Sequence, residues 1–297
     1  MFRGVFPIVP TPFDQSGEID TDSFRRVVRY AVAAGAEGAV FPANASEFAT
    51  LSVPERKTLA EALTSAVAGR VKVIVGVTSD SPDEAAALAQ HAQSIGADGL
   101  LLLLPEAFRD SYDSLLAYVR CVADSCQLPV IMQNAPAPPG ASLSVERVTE
   151  IAAAVPTVQY VKEEISPTGQ RIAQLKQRAG ASIQGVFGGD GGRSILNELP
   201  RGALGTMPAI ELTEMFADLV RLYNGGAREQ ATDLFCQMLP LLNVQRVFKW
   251  AMTKRILVWR GIIDYDHVRV SGAPALDAGD EAELRMWYEK IRHHLRD

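Results

Sequence analysis

The sequence predicts a (β/α)8 barrel followed by a helical extension, and three observations carry that prediction. Short runs rich in Val, Ile, Leu and Gly recur along the 297 residues, and amphipathic stretches at helical spacing separate them. Eight such units fall within residues 1–210, the repeat expected of a closed parallel sheet. After Met207 the alternation stops and the chain reads as helix after helix. An open doubly wound sheet also alternates, but it carries a Gly-rich loop after its first strand. PIVPTPF at 7–13 is no such loop.

The predicted strands are Gly4–Ile8, Gly38–Phe41, Lys72–Val77, Gly99–Leu104, Pro129–Gln133, Val158–Glu163, Ile183–Phe187 and Ala203–Met207. Helical patterns cover Thr21–Ala34, Val53–Ala66, Pro82–Ile95 and Asp113–Ser125. Side-chain oxygens that can accept the free N–H groups of a first turn stand at Asp20 or Thr21, at Ser52 and at Ser81. From Glu211 to about Ile262, and again over Asp280–Leu295, the chain continues as helix. The expected organisation is a barrel over 1–210, its final helix reaching to about 225, with helices of 211–297 packed on it in one structural domain. No Pro/Ser-rich linker separates the two parts.

Composition narrows the function. With 47% hydrophobic residues and ordinary charge content the chain can bury a large core. A net charge of −6 offers no basic field for nucleic acid or anionic lipid. The N-terminal MFRGVFPIVPTPF holds three prolines and no helical apolar core, so it is not a signal peptide. GLLLLLP at 99–105 is too short to cross a bilayer. Cys121, Cys126 and Cys236 form no C-x-x-C pair and read as reduced thiols, which places the protein in the cytoplasm. His91, His267, His293 and His294 lack ligand spacing, so neither a metal nor a cofactor is expected. Trp250, Trp259 and Trp287 are expected to pack the helical extension or a subunit contact.

Barrels of this kind mount their chemistry at the C-terminal strand ends. One end is unusual: TVQYVKEEIS at 157–166 runs from strand formers into Lys162, Glu163 and Glu164. Strand side chains alternate, so Lys162 and Glu164 share a face while Glu163 points the other way, towards a neighbouring strand or helix. An amine desolvated by apolar strand walls becomes a nucleophile that forms a Schiff base with a ketone. Glu164 opposes the free amine but would stabilise the iminium and could shuttle protons. The bland alternative is an ion pair that closes the barrel end. In FGGDGG at 187–192, Gly188 and Gly189 let backbone approach a substrate closely. Asp190 either contacts substrate hydroxyls or caps the next helix.

GVFPIVPTPF at 4–13, SEFATLSVPER at 46–56, the segment 73–105 and the V-K-E of strand six together resemble the dihydrodipicolinate synthase/N-acetylneuraminate lyase superfamily. The resemblance spans nearly the whole chain. It implies a TIM barrel with C-terminal helices, usually a homotetramer, with Lys162 as the Schiff-base lysine and no other cofactor. The departures are informative. The family's Gly-Thr-Thr-Gly-Glu loop is Ala43-Asn44-Ala45-Ser46-Glu47 here, so backbone N–H groups of Asn44, Ala45 and Ser46 remain to grip a carboxylate while the threonine hydroxyls are gone. The tyrosine that relays protons at the end of strand five is Gln133, which can only orient groups. The aromatic pair expected after Pro105 is Glu106-Ala107, and the arginine expected after strand five is missing from QNAPAPPG. These changes argue against dihydrodipicolinate synthesis and ordinary sialic-acid cleavage.

A glutamine in place of that tyrosine, with an acid two residues beyond the lysine, resembles the branch of 2-keto-3-deoxy-sugar-acid dehydratases, notably the L-2-keto-3-deoxyarabinonate enzyme. The resemblance implies a lyase in which Lys162 carries the substrate, and Glu164 could alternate between base and acid if burial lifts its pKa. Gln133 and Asn44 would orient groups. A pyruvate-dependent class I aldolase uses the same enamine, and a third reading is a 2-oxo acid sensor that no longer turns over. The expected partners are a small 2-oxo acid and further copies of the chain, as tetramer or dimer, with no nucleic acid and no membrane. Specificity is expected in the loops at 106–112 and 137–140.

Overall fold

The computed structural model describes residues 1–296; Asp297, the end of the predicted helical region, lies outside the described residues. Among the described residues the strands are β1 (Gly4–Val5), β2 (Gly38–Phe41), β3 (Lys72–Gly76), β4 (Gly99–Leu103), β5 (Val130–Asn134), β6 (Val158–Glu163), β7 (Gly185–Gly188) and β8 (Gly205–Thr206). The helices are α1 (Thr21–Ala33), α2 (Val53–Val67), α3 (Pro82–Ser94), α4 (Tyr112–Asp124), α5 (Val145–Ala154), α6 (Thr168–Ala179), α7 (Ile195–Glu198), α8 (Thr213–Asn224), α9 (Arg228–Trp259) and α10 (Ala278–Ile291). The eight strands belong to one eight-stranded sheet and alternate with helices along the chain, the (β/α)8 class that the sequence predicts.

The caps fall where the side chains suggest. Asp20 accepts from the Ser23 N–H, Ser52 from Glu55 and Ser81 from Glu84. Two strands are shorter than expected by three residues, β1 and β8, while β3, β4 and β7 are each shorter by one. Pro7 has no N–H to continue β1, and Ile8 makes only isolated bridges, to Val40 and Ala209. The start of β7 shifts to Gly185 because 180–182 close a 3-10 turn first.

The chain divides into two compact units that do not follow chain order. One combines Met1–Arg3 with Lys72–Met207, the other Gly4–Val71 with Pro208–Asp297. In the first, β3 to β7 pair in parallel with consecutive neighbours, and β7 continues to β8. Register places Leu103, Gln133, Lys162 and Phe187 in one cross-strand row. Asn134, Glu163 and Gly188 form the next. Because side chains alternate along a strand, the two rows face opposite ways, and this is what sorts the three charged residues at the end of β6.

The second unit is built on α1, α2 and the long α9, whose backbone reverses at Lys249 (φ 42°, ψ −110°). Its Glu47–Lys254 ion pair is completely buried. Glu47 also accepts the N–H groups of Arg269 (2.7 Å) and Val270 (3.1 Å), and Lys254 donates to the His267 carbonyl at 2.6 Å. Burial pushes the Lys254 ammonium down to about 8, against the opposing pull of Glu47. Trp259 packs on Tyr288 of α10 with ring centroids 5.4 Å apart, as expected for the helical extension. Replacing one member of such a pair strands the other charge. Glu47→Ala should therefore cost about 3–5 kcal/mol and lower Tm by roughly 10 °C in calorimetry. A change below about 1 kcal/mol would mean that the ammonium finds water instead.

Candidate active site

The end of β6 sets three charged side chains on alternating faces, and each meets a different environment. Lys162 is 3% exposed, and its Nζ lies 3.2 Å from Glu164 Oε1. Glu164 sits one residue past the strand, fixed by its own N–H donating to Asn134 O at 2.9 Å. Its other oxygen accepts the Gln133 amide at 2.5 Å, and Oε1 also accepts the Asp190 N–H at 3.0 Å. Lys162, Glu164, Gln133 and the FGGDGG loop are thus brought together, as the sequence reading expected of them.

Glu163 faces away, as expected. Asn134 donates to both of its oxygens, at 3.2 and 3.0 Å, and Arg171 of α6 pairs with it at 3.2 Å. The same Asn134 exchanges two hydrogen bonds with the Leu143 backbone, tying the loop after β5 to the strand ends. Burial raises the Glu163 carboxyl despite Arg171 and Asn134 pulling it down.

The condition set for Glu164, that burial lift its pKa, is not met. Burial does push upward, but the nearby Lys162 charge, the Asp190 N–H and the Gln133 amide outweigh it and hold the carboxyl below its ordinary value. A carboxylate so held, against a primary amine, is prepared to accept a proton rather than to store one.

Gly188 and Gly189 leave space that two carboxyl groups fill. A Cβ on Gly189 would lie 2.4 Å from Glu164 Oε1. A Cβ on Gly188 would lie 1.9 Å from Glu198 Oε2. Asp190 does not cap the next helix: its carboxylate pairs with Arg193 at 2.5 Å while its N–H serves Glu164. Its positive φ of 48° aims that N–H.

Glu198 escaped the sequence reading. It is fully buried, takes one hydrogen bond from the Thr168 hydroxyl at 2.6 Å, and leaves Oε2 without a partner. Burial lifts its carboxyl to about 7, with Thr168 pulling it down and the charges of Asp190, Glu164 and Glu163 adding to the rise. Among these acids, Glu198 is the one lifted towards neutrality. The one signal in the sequence is an acid at an otherwise apolar helical position in ILNELPRG.

The expected carboxylate-gripping residues stand in the second compact unit. Asn44–Ser46 form a 3-10 turn after β2. The Ser46 hydroxyl donates to Val9 O (2.5 Å) and accepts the Ala43 N–H (3.1 Å), and the Ser46 N–H donates to Ala43 O (2.9 Å). The N–H and hydroxyl of Ser46 therefore serve the turn itself. Trp250 holds the turn from α9 by donating to Asn44 O at 2.8 Å. The two loops expected to carry specificity are bonded to each other, through Glu106 N–H to Pro139 O at 3.0 Å and a bridge between Pro105 and Gly140. No helix among the described residues is long and apolar enough to cross a membrane.

Comparison with known proteins gives the chain's relatives. The L-2-keto-3-deoxyarabonate dehydratase of Azospirillum brasilense is 29% identical over 285 residues, covering 95% of this chain and 92% of that protein. The probable 2-dehydro-3-deoxy-D-pentonate aldolase YjhH of Escherichia coli is 35% identical over 168 residues, 57% of this chain and 56% of that one. The crystal structure of dihydrodipicolinate synthase from Rhodopseudomonas palustris superposes with a TM-score of 0.89 at 25% identity, covering 97% of both chains. The model of the dihydrodipicolinate synthetase family matches residues 1–277. A chain matched over that span, with the barrel class in place and a buried lysine at the end of its sixth strand, belongs to the dihydrodipicolinate synthetase family.

Proposed function

We propose that this lyase eliminates water from a 2-keto-3-deoxy aldonic acid through a Schiff base on Lys162. The observation that carries the reading is the acid set beside the amine: Glu164 lies 3.2 Å from Lys162 Nζ and is oriented by Gln133, which has no acid–base chemistry of its own. The likeness to the A. brasilense dehydratase over nearly the full length of both chains supports the same choice.

The Lys162 amine adds to the C2 ketone and water leaves, giving an iminium. Glu164, ionised beside that cation, removes the acidified C3 proton and produces the enamine. The enamine electrons expel the C4 hydroxyl, and the proton that Glu164 has just taken leaves with it as water. Glu164 needs no raised pKa for this, because it returns a proton acquired one step earlier. Hydrolysis of the resulting conjugated iminium frees the unsaturated 2-oxo acid and the amine.

The second reading is an aldolase. In it the C4 hydroxyl loses its proton and the C3–C4 bond breaks, leaving pyruvate and an aldehyde. The likeness to YjhH favours it. Chromatography of the products from a panel of 2-keto-3-deoxy acids separates the two: a dehydrated oxo acid without pyruvate supports the first, pyruvate plus aldehyde the second. Substrate length and stereochemistry are assigned to the joined loops at 106–112 and 137–140. We further propose that the enzyme works in the cytoplasm as a homo-oligomer, dimer or tetramer.

A further inference from the structure

Glu198 is a buried ionisable group that the proposed chemistry leaves unused. Its Oε2 stands where a side chain at 188 would be, and Glu164 Oε1 stands where a side chain at 189 would be. Gly188 ends β7 and Gly189 follows it at φ −143°, ψ −135°. The two carboxyls therefore lie against adjacent residues of one two-glycine segment. The loop that bonds Glu164 through the Asp190 N–H continues directly from that segment.

We propose that Glu198 is a positioning residue that acts as a neutral carboxylic acid behind Gly188 and Gly189, and that its ionisation impairs the enzyme on the alkaline side. The inference rests on the reading of Glu164 as the proton-transfer residue.

Among the described residues, Oε2 of this carboxyl has no hydrogen-bond partner. From α6 it meets the Thr168 hydroxyl, from β6 the charges of Glu163 and Glu164, and from the loop after β7 that of Asp190. The basic groups nearby are each held by another acid: Arg171 by Glu163, Lys162 by Glu164, Arg193 by Asp190. An anion at Glu198 would have to admit water beneath the Gly188 backbone or draw one of these cations away. Its charge would also raise the proton affinity of Glu164 and oppose the carboxylate of an incoming oxo acid. As a neutral acid it does neither. Its lift to about 7 places the change within the working range of pH.

The test is the pH profile of kcat/KM for wild type, Glu198→Gln and Thr168→Val, with folding stability measured across the same range. In the wild type, kcat/KM falls above about pH 7, approaching tenfold per pH unit. Glu198→Gln keeps the neutral shape, so its activity at pH 6 drops only a few-fold and the alkaline limb disappears or moves up by a unit or more. Thr168→Val removes the hydrogen bond that favours the ionised form, so its limb also moves up. A role in packing alone would lower activity by one factor at every pH and leave the limb in place, and that result overturns the proposal.

Stability reads the titration without catalysis. The folded acid keeps its proton through the window in which the unfolded chain releases it. Its contribution is therefore full below about pH 4.5 and lost as pH rises to about 7. The wild-type folding constant should fall up to about 300-fold relative to Glu198→Gln across that window. Parallel stability profiles overturn the proposal, and so does a wild-type kcat/KM that stays flat to pH 9. If Glu198→Gln does not fold, an unmoved limb in Thr168→Val overturns it. Full turnover in Glu164→Gln removes the underlying reading instead, independently of both profiles.

Discussion

Lys162→Ala abolishes turnover, with kcat falling on the order of 10⁵-fold or more, the scale seen when a covalent nucleophile is removed. The loss has a chemical reason and a structural one, and both follow from the same geometry. Without the amine no iminium forms, so the C3 proton is never acidified. Without the ammonium, Glu164 is a buried carboxylate that has lost its countercharge, and the variant should also be less stable by about 3–5 kcal/mol. Lys162→Arg separates the two causes. Its guanidinium keeps a positive charge beside Glu164 but cannot deprotonate to attack a ketone. It should fold with a Tm near the wild type and still show no turnover. Activity in Lys162→Arg would assign the lysine to the ion pair alone, the bland alternative open at the level of sequence.

Glu164→Gln is expected to stop the reaction one step later. The amide has the size of the carboxylate and can still hydrogen-bond Gln133 and the Asp190 N–H, so Lys162 remains placed. It can neither take the C3 proton nor return one at C4. Pyruvate should still become trapped on the protein by borohydride, while kcat drops by about 10²–10⁴-fold, the range of general acid–base contributions. The pH dependence of stability changes too. Because the folded Glu164 is held below its ordinary pKa, its contribution is present above the unfolded value near 4.5 and fades as pH falls through the lower folded value. The Gln variant should lack that acid-side loss. Full activity in Glu164→Gln would move proton transfer to another group.

The sequence is legible where local rules dominate. β2 and β6 begin and end as predicted, and the caps at Asp20, Ser52 and Ser81 are the ones that their side-chain oxygens suggest. Alternation alone sorts Lys162 and Glu164 from Glu163. What is not legible depends on partners distant in sequence. The pKa direction of Glu164 is reversed first by the neighbouring Lys162 charge, then by a backbone N–H 26 residues away and by Gln133. Asp190 looks like a cap, but a positive φ and the neighbouring Arg193 give it a different task. Ser46 reads as one of three backbone donors for a carboxylate, yet its N–H donates to Ala43 O. Glu198 looks like an ordinary helical acid until Gly188, in register with Glu163 on β6, is seen to leave the space that it fills. The boundary of β1 contracts because Pro7 has no N–H to donate the expected ladder bond.

The account depends most on a covalent bond between one buried amine and an oxo acid. Incubation with pyruvate, reduction with borohydride and peptide mass spectrometry tests it directly. The account predicts a single added pyruvyl group on the peptide containing Lys162. Unmodified Lys162, or the adduct on any other lysine, would contradict it.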